Sequence, residues 1–119
     1  NNQLTGEIPP EIGNLIYLTV VRLYDNQLTG EIPSEIGNLT NLTSLILDDS
    51  QLTGEIPPEI GNLTNLIYLE LNDNQLSGEI PEGVCNANYV YIGDNQLCPP
   101  YPDCISQYDI NSQDTSNCP

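Results

Sequence analysis

The chain has 119 residues, enough for one domain, and no apolar run approaches the roughly 18 residues that span a membrane. It carries 17 Asp and Glu residues against a single cation, Arg22, for a formal net charge of −16. This balance excludes nucleic acid and disfavours anionic membrane surfaces as partners, because both are bound through Lys and Arg; cations, neutral polymers such as glycans, and other proteins stay open.

A segment of the form LTGEIPPEIGN recurs along the chain. Its opening leucines, Leu4, Leu28, Leu52 and Leu76, are spaced 24 residues apart. A fixed period of this length predicts a solenoid, in which each unit is too small to bury its own apolar face and stacks on its neighbours. The next unit begins near Ala87, after a step that is three residues shorter.

Each unit contains the pattern L-x-x-L-x-L-x-x-N-x-L, as in residues 18–28. The alternation in x-L-x-L predicts a half-buried strand, and stacked units would pair these strands into a parallel sheet with a spacing of about 4.8 Å. The Asn after each strand can bond the free backbone groups of a bend. We expect a buried column of Asn2, Asn26, Asn74 and Asn95, with a weak point or a water at Ser50, which interrupts it.

The rest of each unit reads (T/S)-G-E-I-P followed by P-E-I-G-N-L. Glycines such as Gly54 permit unusual torsions, and prolines such as Pro57 bar a regular helix. We therefore expect an extended piece and then a short 3₁₀ turn that contributes isoleucines such as Ile60 to the core.

Four cysteines lie late in the chain, at Cys85, Cys98, Cys104 and Cys118. An even number clustered at one end predicts a disulfide-stapled cap in an oxidising, extracellular setting. Zinc is the less favoured reading, because there is no C-x-x-C spacing and no His. Three disulfide pairings are possible, and we favour Cys98–Cys104 as a local loop with Cys85–Cys118 tying the tail down.

The repeated L-(T/S)-G-x-I-P after the Asn resembles the plant-type leucine-rich repeat, found in plant receptor ectodomains and secreted bacterial proteins. The resemblance covers residues 1 to about 97, and LCPPYPDC resembles the cysteine caps that close such arrays. It implies an α/β-type solenoid, mostly β and irregular: a right-handed superhelix with a parallel concave sheet, a second short strand per unit and 3₁₀ turns on the convex side. We expect a solenoid domain over 1–97 and a stapled cap over 98–119.

In this frame the exposed positions of the predicted concave strands form a candidate binding face. Its members are Val20, Arg22, Tyr24, Ser44, Ile46, Asp48, Tyr68, Glu70, Asn72, Tyr89 and Tyr91. Tyrosines with acidic and amide neighbours suit contact with protein or sugar, although tyrosine also favours strands for its own sake.

Two columns of carboxylates are candidates for calcium, since like charges about 5 Å apart repel and oxygen ligands suit that ion. The residues are Glu7, Glu31, Glu55, Glu79, Asp25, Asp49, Asp73 and Asp94. A solvated, salt-screened face is the favoured explanation of both columns. Asn38, Asn41 and Asn62 match the N-x-(S/T) glycosylation pattern.

Nothing in the sequence predicts an enzyme, because His and Lys are absent and the carboxylates lie in regular columns. The first unit, with Leu4, Ile8, Ile12 and Leu15, has nothing before it. Another copy could stack there through its last strand, Val90 to Ile92, and such head-to-tail contacts propagate into filaments. The favoured function is a self-assembling extracellular fibre subunit; the alternative is a ligand-binding or adhesion segment of a larger surface protein.

Overall fold

The computed structural model describes residues 5–23 and 27–119, and each repeat in it forms one coil of a solenoid. The strands in chain order are β1 (Thr5–Glu7), β2 (Val20–Arg22), β3 (Gln27–Glu31), β4 (Ser44–Ile46), β5 (Gln51–Glu55), β6 (Tyr68–Glu70), β7 (Gln75–Glu79), β8 (Tyr89–Tyr91) and β9 (Gln96–Cys98). A single short α-helix among these residues, α1 (Gln107–Asn111), lies in the tail.

The strands form two parallel sheets, as the repeat pattern predicts. The four-stranded sheet has the order β2-β4-β6-β8, and the five-stranded sheet has the order β1-β3-β5-β7-β9. Leu45 pairs with Leu69 and Leu69 with Val90, so the shortened third unit stays in register. The five-stranded sheet is formed by the (T/S)-G-E-I-P segments, which were expected to be extended.

Short 3₁₀ helices close each coil on the side opposite the four-stranded sheet. They span Pro10–Asn14, Ser34–Asn38, Pro58–Asn62 and Glu82–Asn86, and each follows a proline in extended conformation. Their apolar side chains and the strand leucines share one interior, in which Leu45, Ile60 and Leu69 are fully buried. The expected 3₁₀ turns and continuous core are therefore confirmed.

Asparagines bridge successive coils inside this interior. Asn74 Oδ1 accepts a hydrogen bond from Leu52 N at 3.1 Å, and Asn95 Oδ1 accepts one from Leu76 N at 3.0 Å. Their amide nitrogens donate to backbone carbonyls of their own coil and of the preceding coil. The expected column is thus formed by Asn74 and Asn95; Asn2 and Asn26 lie outside the described residues, and the expected weak point at Ser50 stays a prediction.

The glutamate column has a structural explanation. Gly54 has φ +77°, and a Cβ there would come within 2.7 Å of Glu31 Cγ. Glu55 lies in the same way over Gly78, which has φ +78°. The aliphatic part of each glutamate therefore fills the space that a side chain on the next coil would need. The glutamate of one repeat thus requires a glycine in the following repeat.

The tail takes the place of one more coil against β8. Asp109 Oδ2 accepts from Ile92 N at 3.0 Å, and Ser112 Oγ accepts from Asp94 N at 2.9 Å. In the preceding coil, the corresponding N–H groups of Leu71 and Asp73 donate to backbone carbonyls of the next unit. Side chains of the tail therefore supply acceptors that a further repeat would otherwise provide.

The disulfide pairing that we favoured from the sequence is wrong. The bridges are Cys85–Cys104 and Cys98–Cys118, with Cα–Cα distances of 5.6 and 5.7 Å. The loop from Cys98 to Cys104 contains Pro99, Pro100 and Pro102, whose fixed φ restricts how so short a segment can close on itself. Instead, Cys104 meets the last 3₁₀ helix, and the end of the tail returns to β9.

Candidate functional site

The predicted binding residues lie together on one face of the four-stranded sheet. We call this the four-strand face; its described members are Val20, Arg22, Ser44, Ile46, Asp48, Tyr68, Glu70, Asn72, Tyr89 and Tyr91, all exposed or partly exposed. Tyr24 lies outside the described residues. Between them, Val21, Leu45 and Leu69 point into the core. The alternation read from the sequence therefore separates face from core, and the binding role stays a prediction.

Strand register orders this face into rows that run across the sheet. One row contains Val20, Ser44, Tyr68 and Tyr89, which are successive register partners. The next contains Arg22, Ile46, Glu70 and Tyr91. The aromatic residues thus concentrate on β6 and β8, beside the tail.

Tyr68 and Tyr89 form a stacked aromatic pair on this surface. Their ring centroids are 5.0 Å apart with an interplanar angle of 13°, which follows from their register pairing on adjacent parallel strands. Tyr68 stays 44% exposed and Tyr89 49% exposed. The pair therefore exposes aromatic surface to solvent and does not pack in the core.

Two carboxylates, Asp48 and Glu70, lie close together on this face. Arg22, Ile46, Asp48 and Glu70 line a depression of about 220 Å³. Partial burial, and then the nearby charge of Asp48, raise the pKa of Glu70 above its ordinary value, while Arg22 acts in the opposite direction. A bound cation would relieve the same repulsion.

The aspartate column lies at bends in left-handed conformation. Asp49, Asp73 and Asp94 have φ of 55°, 60° and 56°, a region that Asp tolerates better than most residues. They are exposed, as are Glu7, Glu31, Glu55 and Glu79, while Asp25 lies outside the described residues. Across residues 5–23 and 27–119, no three Asp, Glu, Cys or His side chains come together as a metal site. Calcium binding stays a hypothesis, and backbone geometry and the glutamate–glycine contacts explain both columns without it.

The glycosylation motifs lie on the exposed side of the coils. Asn38, Asn41 and Asn62 are exposed, and Asn41 Nδ2 donates to Ile16 O at 3.4 Å. The equivalent Asn65 donates to Thr40 O at 3.0 Å. At Asn41, then, the amide nitrogen that would carry a glycan already links two coils.

The apolar residues at the two ends of the solenoid, which we expected to form a stacking surface between copies, differ in how exposed they are. Ile8 is buried, Ile12 is half-buried, Leu15 is 54% exposed, and Leu4 lies outside the described residues. At the other end, Ile92 is fully buried and Val90 is half-buried. Ile92 is therefore not open to stacking, because Asp109 and Gln113 of the same chain bond its backbone, while a stacking role for Val90 stays a prediction.

Sequence reasoning missed the residues of the tail. Tyr108, on α1, is 70% exposed beside the four-strand face, and Asp109, Ser112 and Gln113 bond the last coil. The one local signal is S-Q-Y-D at 106–109, which resembles a capping box; Ser106 Oγ does accept from Asp109 N at 3.2 Å. None of the described helices is long and apolar enough to cross a membrane.

Comparison with known proteins gives a consistent picture. The family model for the leucine-rich repeat matches residues 1–15, 17–39, 41–63 and 65–87, well over half of the chain. No curated protein matches the chain in sequence.

Solved structures of Arabidopsis receptor ectodomains are similar to it. The ectodomain of the receptor kinase GASSHO1/SCHENGEN3, in complex with CASPARIAN STRIP INTEGRITY FACTOR 2, superposes with a TM-score of 0.81 at 41% identity over 85% of this chain. The receptor kinase HAESA ectodomain, in complex with an IDA peptide hormone ligand, gives 0.82 at 38% over 92%, and the BIR2 ectodomain gives 0.79 at 34% over 84%.

This chain is short beside these proteins. It spans 12%, 19% and 54% of the three chains, respectively. The likeness therefore extends to a stretch of repeats and not to a whole ectodomain. These neighbours and the two disulfides identify the chain as extracellular.

Proposed function

Because the chain belongs to the leucine-rich repeat family, we propose that it is a non-enzymatic, ligand-binding segment of an extracellular protein, with a peptide or protein as its ligand. The observation that carries this proposal is the stacked pair Tyr68 and Tyr89, exposed on β6 and β8 of the four-strand face. Tyrosine covers a large contact area with little loss of side-chain freedom and is enriched at interfaces.

The solved neighbours support the choice of ligand class. GASSHO1/SCHENGEN3 is in complex with a protein factor, and HAESA is in complex with a peptide hormone. The binding face here is short, four strands across, so it would hold a short segment of a ligand and not a folded domain.

A catalytic role has no support in the residues that are present. His and Lys are absent from the sequence, so no side chain with an ordinary pKa near neutrality is available for proton transfer. The carboxylates recur with the repeat, and those at bends and over glycines have structural explanations.

Self-assembly into a fibre is the second candidate. It would use the apolar surface at the β2 end of the solenoid, where Leu15 is 54%, Ile16 48% and Tyr17 85% exposed. The tail covers the complementary end, however, so stacking would require it to detach. Light scattering at high protein concentration tests this candidate, and a monomer would rule it out.

The proposed function is tested by selecting binders from a displayed library of random peptides. Selected peptides should lose binding to the Tyr89→Ser variant, which removes half of the stacked pair on a partly exposed strand. Tyr17→Ser, at an exposed site far from β8, is the matched control and should bind normally. Peptides that bind both variants as well as the parent chain, or no binders at all, would overturn the proposal.

A further inference from the structure

A cavity of about 460 Å³ opens at the end of the four-strand face, between β8 and the tail. Tyr91 lines it from β8 and Tyr108 from α1, and they are 46% and 70% exposed. The remaining lining includes Glu70, Asp73 and Asp94. Two aromatic rings and several carboxylates therefore share one open cavity.

Hydrogen bonds hold α1 in place beside β8. Asp109 accepts from Ile92 N, and Ser112 accepts from Asp94 N. Gly93 lies under this contact, and a Cβ there would come within 2.8 Å of Asp109 Oδ1. Tyr108 therefore lies on a helix that is hydrogen-bonded to the last coil through its neighbours Asp109 and Ser112, and not on a free loop.

The charge of the cavity is one-sided. Its titratable lining is acidic apart from the tyrosines, and Arg22, the only Lys or Arg in the sequence, is not part of it. Asp73 Oδ2 accepts from Asn72 Nδ2 at 2.8 Å, which fixes one carboxylate at the rim. A cation that enters would meet negative charge and two tyrosine rings, whose faces attract cations.

We propose that this cavity receives the cationic side chain, Arg or Lys, of a peptide segment bound on the four-strand face. The inference rests on the proposed function, since the stacked Tyr68 and Tyr89 form the row next to Glu70 and Tyr91 of the cavity lining and would hold the rest of the segment. Charge complementarity selects this occupant: a second copy of the chain offers one cation, Arg22, and brings a net charge of −16 with it.

Two displayed libraries of random peptides, equal in peptide length and in number of members, test the inference. In the first library Arg and Lys are among the residues allowed at each variable position, and in the second both are left out. The first library should yield the stronger binders, each with a cation at a fixed position. Equally strong binders from the second library would overturn the inference and leave the proposed function standing. If neither library yields a peptide that depends on Tyr89, the proposed function fails and the inference fails with it.

Charge-matched variants separate a specific site from general attraction to an acidic protein. Asp94→Asn removes one negative charge at the cavity and keeps a residue that tolerates positive φ; Glu59→Gln removes one on an exposed 3₁₀ helix. For a selected cationic peptide, Asp94→Asn should weaken binding roughly two- to fivefold, the range for exposed charge pairs. Glu59→Gln should leave Kd unchanged, and equal losses in both variants would overturn the site.

The aromatic contribution has its own matched pair. Tyr108→Ala should weaken the same peptide by roughly threefold or more, as for an exposed cation–π contact, while Tyr17→Ala should not. Replacing the peptide's Arg with citrulline, which is neutral and of nearly the same shape, should abolish the difference between the parent and Tyr108→Ala. A difference that persists with citrulline would overturn the assignment of a cation.

Discussion

Gln113 Oε1 accepts a hydrogen bond from the backbone N–H of Leu97 at 2.9 Å. This bond repeats, one coil later, those from Leu52 to Asn74 and from Leu76 to Asn95. Gln113 Nε2 also donates to Ile92 O, as Asn95 Nδ2 does. A residue of the non-repeated tail therefore completes the buried asparagine column.

Replacing Gln113 with Ala should destabilise the chain by about 2 kcal/mol, because the buried N–H of Leu97 loses its acceptor. The measurement is urea unfolding with the disulfides intact. Gln107→Ala is the control, since Gln107 is exposed and bonds Asn111 within α1. Equal stability of the two variants would contradict a role for Gln113 in the column.

Placing Asn at position 50 should stabilise the chain by about 1 kcal/mol, the net value of one buried hydrogen bond. Asn offers two N–H donors and a carbonyl where Ser offers one hydroxyl, and Asn74 shows the bonds that this position makes one coil later. The mirror variant Asn74→Ser should cost a similar amount in the same unfolding assay. A neutral or destabilising Ser50→Asn would show that Ser50 already satisfies its surroundings.

Gly54→Ala should destabilise for two separable reasons: φ of +77°, and a Cβ 2.7 Å from Glu31 Cγ. Gly6→Ala is the control for the first reason, because Gly6 has φ +91° and nothing within 4 Å of its Cβ position. We expect Gly54→Ala to cost about 1 kcal/mol more than Gly6→Ala. Adding Glu31→Ala to Gly54→Ala should remove that excess. A double variant that is no more stable than Gly54→Ala alone would argue against the contact.

Much of the fold follows from repetition, because each coil confirms the frame of the others. Alternation at Leu45 and Leu69 gives the buried and exposed sides of the strands, and Gly54 with Pro57 gives the bend. Tyr89 and Tyr91 were placed on the candidate face by the same frame, despite the shortened unit before them.

The tail has no such internal comparison, and there sequence reasoning failed. Cys98 and Cys104 are close in sequence but separated by prolines, and the pairing depends on where the chain returns in space. Gln113 bonds residues 16 and 21 positions upstream, and Tyr108 lines a cavity with Tyr91. No local pattern encodes either role. The cavity between β8 and the tail lies at this junction, so the sequence alone could not reveal it.

Glu70 gives a pH dependence whose sign follows from its raised pKa. The folded state binds the Glu70 proton more tightly than the unfolded chain does, so ionising Glu70 lowers the stability of the fold. This loss develops as the pH rises from about 4.5, the ordinary pKa of the group, through the pKa of the folded state. Glu70→Gln should therefore raise Tm at pH 7 and lose this advantage near pH 4. Glu59→Gln controls for the lower net charge, and an equal gain from both variants at pH 7 would contradict a local cause at Glu70.

The disulfide pairing can be tested by removing one bridge at a time. The double variant Cys85→Ser with Cys104→Ser should contain no free thiol, since Cys98 and Cys118 stay bonded to each other. It should lose about 3 kcal/mol of stability, the chain-entropy value for a loop of this length. Removing Cys98 and Cys104 instead should leave Cys85 and Cys118 without their partners, and thiol titration counts the difference. Two free thiols in the first variant and none in the second would restore the pairing of Cys98 with Cys104.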